Sequence, residues 1–203
     1  MNTPASSLPP PQKPVVVGQP SELAIRRMRP GDVAQIMPIE SVSFGRQHWS
    51  DESFVNEMNN VIGRYYVLSH QIAPDTEKII GYAGIWLVLD EAHLTTIAVS
   101  PDYRGQSLGE LLLVHTLDYL MGRIIHSYTL EVRSSNTGAQ ALYLKYGFEI
   151  LGLRPKYYQD TKEDGLIMTI PNILDPAFRV QFNQLRAALV EKLGGALPVG
   201  CGL

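Results

Sequence analysis

One segment of the chain constrains its fold more than any other: LTTIAVSPDYRGQSLGELLL, from Leu94 to Leu113. Its first part, Leu94 to Val99, is apolar and partly β-branched, which is typical of a buried strand. Pro101 ends that strand, because proline cannot donate to a strand ladder. Apolar residues then recur at helical spacing from Leu111 to Leu120. The segment therefore predicts a strand, a short loop over residues 104–109, and a helix.

The loop RGQSLG, residues 104–109, lies at the start of the predicted helix. A helix N-terminus presents unpaired N–H groups and a positive dipole end, and small residues let a phosphate come close. The loop lacks the G-x-G-x-x-G spacing of a dinucleotide site and the Gly-Lys-Ser/Thr of a Walker loop. It resembles R-x-x-G-x-G, the acyl-CoA pyrophosphate loop of the GNAT N-acetyltransferases, with Ser107 where the first motif glycine belongs. A plain strand-to-helix connection is the alternative interpretation of the loop taken alone.

Length and composition are those of one soluble globular domain with extensions, since 45% of the 203 residues are hydrophobic and 18% are charged. The net charge of -3 gives no reason to expect a nucleic-acid partner. The single cysteine, Cys201, excludes an internal disulfide framework and a cysteine-based zinc site. The five histidines lack metal-ligand spacing, so no metal is expected. Without a long apolar run or a secretory signal, we expect a cytoplasmic protein that does not associate with membranes.

Both ends of the chain differ from its middle. Residues 1–21 are rich in proline, which predicts a disordered or extended tail, or alternatively a ligand for a polyproline-binding module. Residues 22–172 form the expected catalytic domain. Residues 173–203 contain an amphipathic stripe from Phe178 to Leu193, preceded by a cap at Asp175 and followed by a Gly-rich tail. We expect this C-terminal helix to pack on the domain or on a partner chain.

Between the two tails, the hydrophobic pattern predicts strands and helices in the order β-α-α-β-β-β-α-β-α-β-β. Asp32 is the expected N-cap of the first helix, and Ser50 precedes the second. The polar residues 74–78 predict a hairpin loop, residues 148–151 a short strand, and residues 160–165 a turn. This order mixes hairpins with strand–helix–strand crossovers, which indicates an α/β fold with a mixed sheet and helices on both faces.

A second motif, LEVRSSNTGAQALYLKYGFE from Leu130 to Glu149, follows the loop. Its pattern L-E-V-R-x-S-N…A-x-x-L-Y-x-x-x-G-F, together with the loop, resembles the GNAT superfamily. The flanking segments 48–50, 88–92 and 154–158 resemble most the RimI-type ribosomal-protein-alanine N-acetyltransferases. The resemblance extends over residues 22–172. It implies a GNAT fold, in which a mixed, mostly antiparallel central sheet is flanked by helices on both faces.

The resemblance implies direct transfer of an acetyl group from acetyl-CoA to an amine, with Glu131 as general base and Tyr143 as general acid. The amine must be neutral to attack a thioester, whereas a protein N-terminus has a pKa of ~7.7–8.0. A carboxylate nearby can take that proton, directly or through a water, and a phenol can protonate the leaving thiolate. From the residues alone, Glu131 pairing with Arg133 or Lys145 is an alternative, as is a core position for Tyr143.

The same resemblance implies which residues bind the two substrates. The backbone of Ile97, Ala98 and Val99 would hold the pantetheine arm. In the GNAT fold these residues lie on a strand that splays from its neighbour. The pyrophosphate would lie on the N–H groups of the loop and of the helix that follows it: Arg104, Gly105, Gln106, Ser107, Leu108, Gly109 and Glu110. Asn136 would contact the cofactor, or cap the next helix. Trp49, Tyr157 and Tyr158 would border a peptide groove, or pack in the core.

The functional hypothesis is therefore an acetyl-CoA-dependent N-acetyltransferase. By the resemblance, its partner is the N-terminal segment of a protein, and its acceptor is the N-terminal alanine of protein eighteen of the small ribosomal subunit. One alternative is a GNAT enzyme that acts on another amine, either a small molecule or a lysine side chain. A second is a non-catalytic acyl-CoA-binding module, which only the departure at Ser107 favours.

Overall fold

The fold is built on one seven-stranded sheet, seen in a computed structural model that describes residues 22–195. The strands are β1 (Leu23–Arg27), β2 (Gly63–Ala73), β3 (Thr76–Val88), β4 (Glu91–Val99), β5 (Ser127–Arg133), β6 (Glu149–Tyr158) and β7 (Glu163–Ile170). The helices are α1 (Val33–Phe44), α2 (Asp51–Asn59), α3 (Leu108–Met121), α4 (Thr137–Lys145) and α5 (Pro176–Lys192). The strand order is β1-β2-β3-β4-β5-β7-β6, in which β4 and β5 run parallel and the other neighbours antiparallel. The predicted mixed, mostly antiparallel α/β fold is confirmed.

Helices cover both faces of the sheet, as the sequence predicts. Along β2, Tyr65 and Val67 belong to the apolar cluster under α1 and α2, whereas Tyr66 and Leu68 belong to the cluster under α3 and α5. Successive side chains of a strand point to opposite faces, so this alternation divides the core into two layers. The near-continuous burial of β2 follows from the same arrangement.

The ends of several elements differ from the sequence predictions. The hairpin between β2 and β3 is shorter than residues 74–78, because the two strands remain paired as far as Ala73 and Thr76. Asp75, at φ 61°, lies in the turn between them. Strand β6 continues well past residue 151, because Arg154 and Tyr158 still pair with β7. This edge strand is exposed along most of its length, so no alternating pattern marks it in the sequence.

Three of four predicted helix caps have the expected hydrogen bond. The Ser50 hydroxyl accepts from the Ser53 amide at 3.2 Å, Asn136 Oδ1 accepts from the Ala139 amide at 3.2 Å, and Asp175 Oδ1 accepts from the Ala177 amide at 2.9 Å. The prediction for Asp32 is wrong in its contact: the residue precedes α1, but its carboxylate accepts from the Arg29 amide and from the guanidinium of Arg26. These bonds tie the chain before α1 to β1.

Helix α5 packs on the same core as the rest of the chain. Phe182 and Leu189 are buried in the cluster under α3, and Arg186 donates to Asp118 of α3 at 2.7 Å. No helix within residues 22–195 is long and apolar enough to cross a membrane. The proline-rich segment 1–21, with its predicted tail or polyproline ligand, and the Gly-rich segment that contains Cys201 lie outside the described residues.

Candidate active site

The parallel strands β4 and β5 separate halfway along their length. They pair from Glu91 to Leu94 on β4 and from Ser127 to Leu130 on β5, and beyond these residues β4 pairs only with β3 among the described strands. The separation coincides with a bulge in β4 at Thr95, where the register against β3 shifts. A cavity of about 840 Å³ opens at this point. The splay expected of this strand is therefore present.

The bulge is supported by an aromatic side chain that crosses the neighbouring strand. The ring of Tyr65 lies over Gly84, where a Cβ atom would come within 2.1 Å of the ring. The Tyr65 hydroxyl contacts Thr95 Oγ1 at 3.1 Å and donates to Glu57 Oε2 at 3.0 Å. Trp86 Nε1 donates to the same Glu57 oxygen at 2.6 Å. Glycine at position 84 thus permits the contact that braces the bulge.

The cavity brings together seven of the residues that the sequence singled out, from four separate parts of the chain: Trp49, Ile97, Glu131, Asn136, Tyr143, Tyr157 and Tyr158. It also contains side chains that were not predicted as functional, namely Glu40, Trp86, His93 and Arg154. The predicted catalytic pair, Glu131 and Tyr143, therefore faces one common space.

Glu131 occupies β5 just beyond the last residue paired with β4, and 7% of its side chain is exposed. Its Oε2 lies 2.8 Å from His93 Nε2, and its Oε1 lies 3.1 Å from a guanidinium nitrogen of Arg154. Burial raises the pKa of Glu131, but the hydrogen bond from His93 and the charges of His93 and Arg154 outweigh burial and hold that pKa below its ordinary value. Neither Arg133 nor Lys145 is its partner, in contrast to the alternative pairing considered above.

Tyr143 lies on α4 and is both a core residue and a cavity residue. Its ring packs against Phe148 at 5.5 Å, and the residue is 5% exposed. Burial, with a smaller contribution from Tyr158, raises the pKa of the Tyr143 phenol above its ordinary value. The phenol, whose ordinary pKa is ~10, is protonated at neutral pH, as a proton donor must be.

Glu40 of α1 is a second buried carboxylate in the cavity wall. Its Oε1 accepts from the Trp49 amide at 2.8 Å, and its Oε2 accepts from the Tyr82 hydroxyl. Burial raises the pKa of Glu40, and the hydrogen bonds from Tyr82 and Trp49 only partly oppose that effect. The sequence does not mark Glu40 as a site residue. It is a single glutamate within an apolar helix, and its partners come from other segments of the chain.

The predicted pyrophosphate loop lies at the start of α3 and does not line this cavity. Ser107 has φ 60° and ψ 16°, in the left-handed region, and Gly105 has φ 78°. Within residues 22–195, the backbone N–H groups of Gly105 and of Ser107, Leu108, Gly109 and Glu110 have no hydrogen-bond acceptor. Unpaired N–H groups at a helix N-terminus form an anion site, so the loop retains the geometry of a phosphate cradle.

Side chains of the loop hold it to its surroundings. Arg104 Nε donates to the Val99 carbonyl at 3.0 Å, and a second guanidinium nitrogen donates to Ser43 Oγ at 3.1 Å. Leu108, the first residue of α3, is buried in the core. The carboxylate of Glu110 accepts from the Tyr146 hydroxyl at 2.8 Å and from Lys145, so it ties α3 to α4. Ala98 and Val99 of β4, like Gln106 and the rest of the loop, do not line the cavity.

The aromatic residues predicted to border a peptide groove have two functions in the fold. The ring of Trp49 packs against Phe54 at 5.3 Å while it lines the cavity. Tyr157 and Tyr158 meet edge to face at 5.1 Å on β6, and Arg133 lies 4.0 Å from the Tyr158 ring centroid. Both interpretations of these residues, packing and groove, are therefore compatible with their positions.

Comparison with known proteins agrees with this geometry. Residues 33–148 match the acetyltransferase (GNAT) family model. The chain is 41% identical over 125 residues to the ribosomal protein bS18-alanine N-acetyltransferase of Escherichia coli. This match covers 61% of this chain and 80% of that relative. It is 39% identical over 151 residues to a Bacillus subtilis protein for which the same activity is proposed, and the match covers 74% of this chain and 96% of the relative.

Solved structures show the same similarity. The crystal structure of the ribosomal-protein-S18-alanine N-acetyltransferase from Escherichia coli aligns with a TM-score of 0.65 at 34% identity, over 74% of this chain and 94% of that one. The crystal structure of Ard1 from Thermoplasma volcanium aligns with a TM-score of 0.65 at 22% identity, over 73% of this chain and 96% of that one. The second likeness shows the shared fold alone.

Proposed function

The chain belongs to the GNAT acetyltransferase family, and we propose that it transfers the acetyl group of acetyl-CoA to the N-terminal alanine of ribosomal protein bS18. The observation that carries this proposal is the cavity at the β4–β5 splay, where Glu131 and Tyr143 face one space. The relatives named for this reaction are 39% and 41% identical to this chain over 151 and 125 residues.

Features of the splay and the loop support acetyl-CoA as the donor. Beyond Leu94, the edge of β4 that faces β5 pairs with no strand in the described part of the chain, and an extended pantetheine arm fits such an edge. The unpaired N–H groups of Gly105 and of Ser107 to Glu110 fit a pyrophosphate. Because these contacts are made by the backbone, serine in place of glycine at position 107 preserves them.

The side chains of the cavity support acid–base chemistry. Glu131 supplies the negative charge toward which a proton leaves the α-ammonium, since His93 and Arg154 keep this carboxylate ionised. Tyr143 supplies the proton for the departing thiolate, since its phenol is protonated at neutral pH and burial raises its pKa further. Trp49, Tyr157 and Tyr158 border the space that the peptide would enter.

The test is an acetylation assay with the purified chain, acetyl-CoA and a peptide that carries the alanine N-terminus of bS18. Mass spectrometry of the product locates the acetyl group, and release of free thiol measures the rate. We expect acetylation at the α-amine of alanine. A second peptide with a blocked N-terminus and an internal lysine, and a small polyamine, serve as competing acceptors.

The competing acceptors decide between the proposed function and its alternatives. Preferential acetylation of lysine or of the polyamine would replace the proposed acceptor with another amine. Binding of acetyl-CoA without acetylation of any acceptor would favour the non-catalytic module. The Glu131→Gln variant, measured in parallel, separates enzymatic transfer from the slow reaction of acetyl-CoA with amines in solution.

A further inference from the structure

We propose that His93 accepts the proton of the substrate α-ammonium, with Glu131 as the carboxylate that orients the imidazole and stabilises its charged form. This inference rests on the proposed function and deepens it, because it names the group that makes the amine nucleophilic. The residues are a histidine on β4 and a glutamate on β5, at the point where the two strands separate.

The contacts of Glu131 favour this division of roles. Each of its oxygens already faces a donor, His93 on one side and Arg154 on the other. The same partners lower the pKa of the carboxylate, which makes it a weak proton acceptor. A carboxylate that is held ionised against an imidazole is instead well suited to stabilise an imidazolium.

The contacts of His93 leave one ring nitrogen available. Its Nε2 lies 2.8 Å from Glu131 Oε2, so in the neutral ring this nitrogen carries the hydrogen and Nδ1 is the acceptor. Within residues 22–195, Nδ1 has no hydrogen-bond partner, and 33% of the His93 side chain is exposed in the cavity wall. An acceptor nitrogen with free access is what an incoming ammonium requires.

The register of the strands explains why the pair forms. His93 lies opposite Thr129 in the parallel pairing of β4 with β5, and Glu131 is two residues further on the same face. On the other side, Trp86 of β3 lies opposite His93, with ring centroids 6.3 Å apart. The pair therefore sits immediately before the bulge at Thr95, beside the start of the splay.

Besides Glu131, the charged or titratable groups that line the cavity with His93 are Glu40, Arg133, Tyr143, Arg154, Tyr157 and Tyr158. Arg154 contacts Glu131 from β6, and Glu57 of α2 accepts a hydrogen bond from the indole of Trp86. Glu57 is bonded to Tyr65 and Trp86, so Glu131 is the carboxylate in direct contact with the imidazole.

The proposed reaction moves one proton to His93 and one to the leaving thiolate. His93 Nδ1 takes one proton from the α-ammonium, and the resulting imidazolium is held by Glu131. The C–N bond forms as the C–S bond of the thioester breaks, and a second proton leaves the nitrogen while the thiolate receives one from Tyr143. Tyr143 is reprotonated by the proton lost from nitrogen, and His93 later releases its proton to water. The net products are the N-acetylated peptide, free CoA thiol and one proton.

The experiment compares wild type with His93→Gln and His93→Ala in the peptide assay across pH. Glutamine keeps a donor to Glu131 but has no basic nitrogen, so it separates proton transfer from positioning. We expect both variants to lose roughly 10²–10⁴-fold in kcat/KM at neutral pH. Their rate should then rise only where the amine deprotonates by itself, at pH ~7.7–8.0, and added imidazole should restore part of the activity of His93→Ala.

One control variant and one spectroscopic measurement make the outcome decisive. His126→Ala, a change at an exposed histidine, should leave rate and pH profile unchanged. A His93→Gln variant with wild-type rate and profile would overturn the proposal while leaving the proposed function intact. If wild type fails to acetylate the peptide, the proposed function fails, and nitrogen NMR of His93 still tests the pair. A neutral ring protonated at Nε2 supports the inference, whereas one protonated at Nδ1 refutes it.

Discussion

Two buried carboxylates line the same cavity, one on a strand and one on a helix, and their ionisation is pushed in opposite directions. Glu131 on β5 contacts His93 and Arg154, and its pKa is lowered. Glu40 on α1 accepts hydrogen bonds from the neutral groups of Tyr82 and Trp49, and its pKa is raised. Burial opposes ionisation in both, so the charge of the partners decides the outcome.

The difference indicates which wall of the cavity carries the chemistry. Two titratable groups whose environments separate their pKa values are suited to different tasks. Glu131, which stays ionised beside an imidazole, fits a part in proton transfer. Glu40 fits a structural role, in which it joins α1 to β3 and to the segment before α2. A third buried group, His115 on α3, has no hydrogen-bond partner at either ring nitrogen among the residues that the structure describes.

The largest expected effect comes from a change in Glu131, the carboxylate on strand β5. Glu131→Gln removes the charge that stabilises a protonated His93, so kcat/KM toward an N-terminal peptide should fall by roughly 10²–10⁴-fold, as is typical of acid–base groups. Steady-state assays with acetyl-CoA and the alanine peptide measure this loss.

The matched control is the same substitution at Glu40, the carboxylate on helix α1. In Glu40→Gln, the amide oxygen can accept from the Trp49 amide, and the amide nitrogen can donate to the Tyr82 oxygen. We therefore expect kcat/KM within a few-fold of wild type. Equal losses in the two variants would mean that the comparison does not separate a catalytic wall from a structural one.

The next effect concerns His115, the buried histidine of α3. Burial lowers the pKa of His115 to about 4 from 6.5, since nothing compensates for its charged form. A histidine with a depressed pKa leaves the fold fully stable above pH 6.5, and stability is lost as pH falls toward about 4 because only the unfolded chain is protonated. The shift corresponds to about 3 kcal/mol over that range.

Urea denaturation between those two pH values tests this expectation. His115→Leu removes the titration, so its free energy of unfolding should fall less than that of wild type as pH decreases. The loss of the edge-to-face contact with Tyr66 at 4.5 Å lowers stability equally at every pH, and the slope is therefore the informative quantity. Identical slopes in both proteins would contradict a neutral, buried His115.

The sequence predicted most of the fold because its signals are local. The cap at Ser50 and the cap and proline at Asp175 and Pro176 lie within a few residues of the bonds that they make. Asp32 failed as a cap because Arg26, on a neighbouring strand, competes for its carboxylate. The extension of β6 was missed since an exposed edge strand lacks the alternation that a buried face imposes.

The candidate site was predictable only in part for a similar reason. Glu131 and Tyr143 stand in a contiguous motif that resembles a known family. His93, Arg154 and Glu40 have no motif of their own, and they join the site through strand register and helix packing. A histidine on β4 meets a glutamate 38 positions later only because β4 and β5 pair in one register up to Leu94 and Leu130. No local pattern encodes that register.

A smaller effect separates the two carboxylates by their influence on stability. The lowered pKa of Glu131 stabilises the fold above the ordinary glutamate pKa of ~4.3, and this contribution is lost in acid. The raised pKa of Glu40 acts in reverse, since stability is lost as pH rises from ~4.3 through the raised value.

The two variants should therefore show opposite pH trends. Relative to wild type, Glu131→Gln should become less stable as pH rises, and Glu40→Gln should become more stable, each by about 1 kcal/mol per unit of pKa shift. Chemical denaturation of the three proteins at matched pH values measures both trends. Trends of the same sign would show that burial, and not the charge of the partners, controls one of the two groups.

The smallest effect lies in the backbone of the predicted phosphate loop. Ser107 adopts φ 60° and ψ 16°, a conformation that costs a residue with a Cβ roughly 1–2 kcal/mol. Ser107→Gly relieves this cost but adds roughly 0.4–1 kcal/mol of chain entropy to the unfolded state, so a net gain of about 0–1.6 kcal/mol is expected. Ser107→Ala is the matched control, because it removes the hydroxyl and keeps the strained backbone. CoA affinity, measured by calorimetry, should change little in Ser107→Gly, since the backbone N–H groups remain. A glycine variant no more stable than the alanine variant would show that the loop tolerates serine without strain.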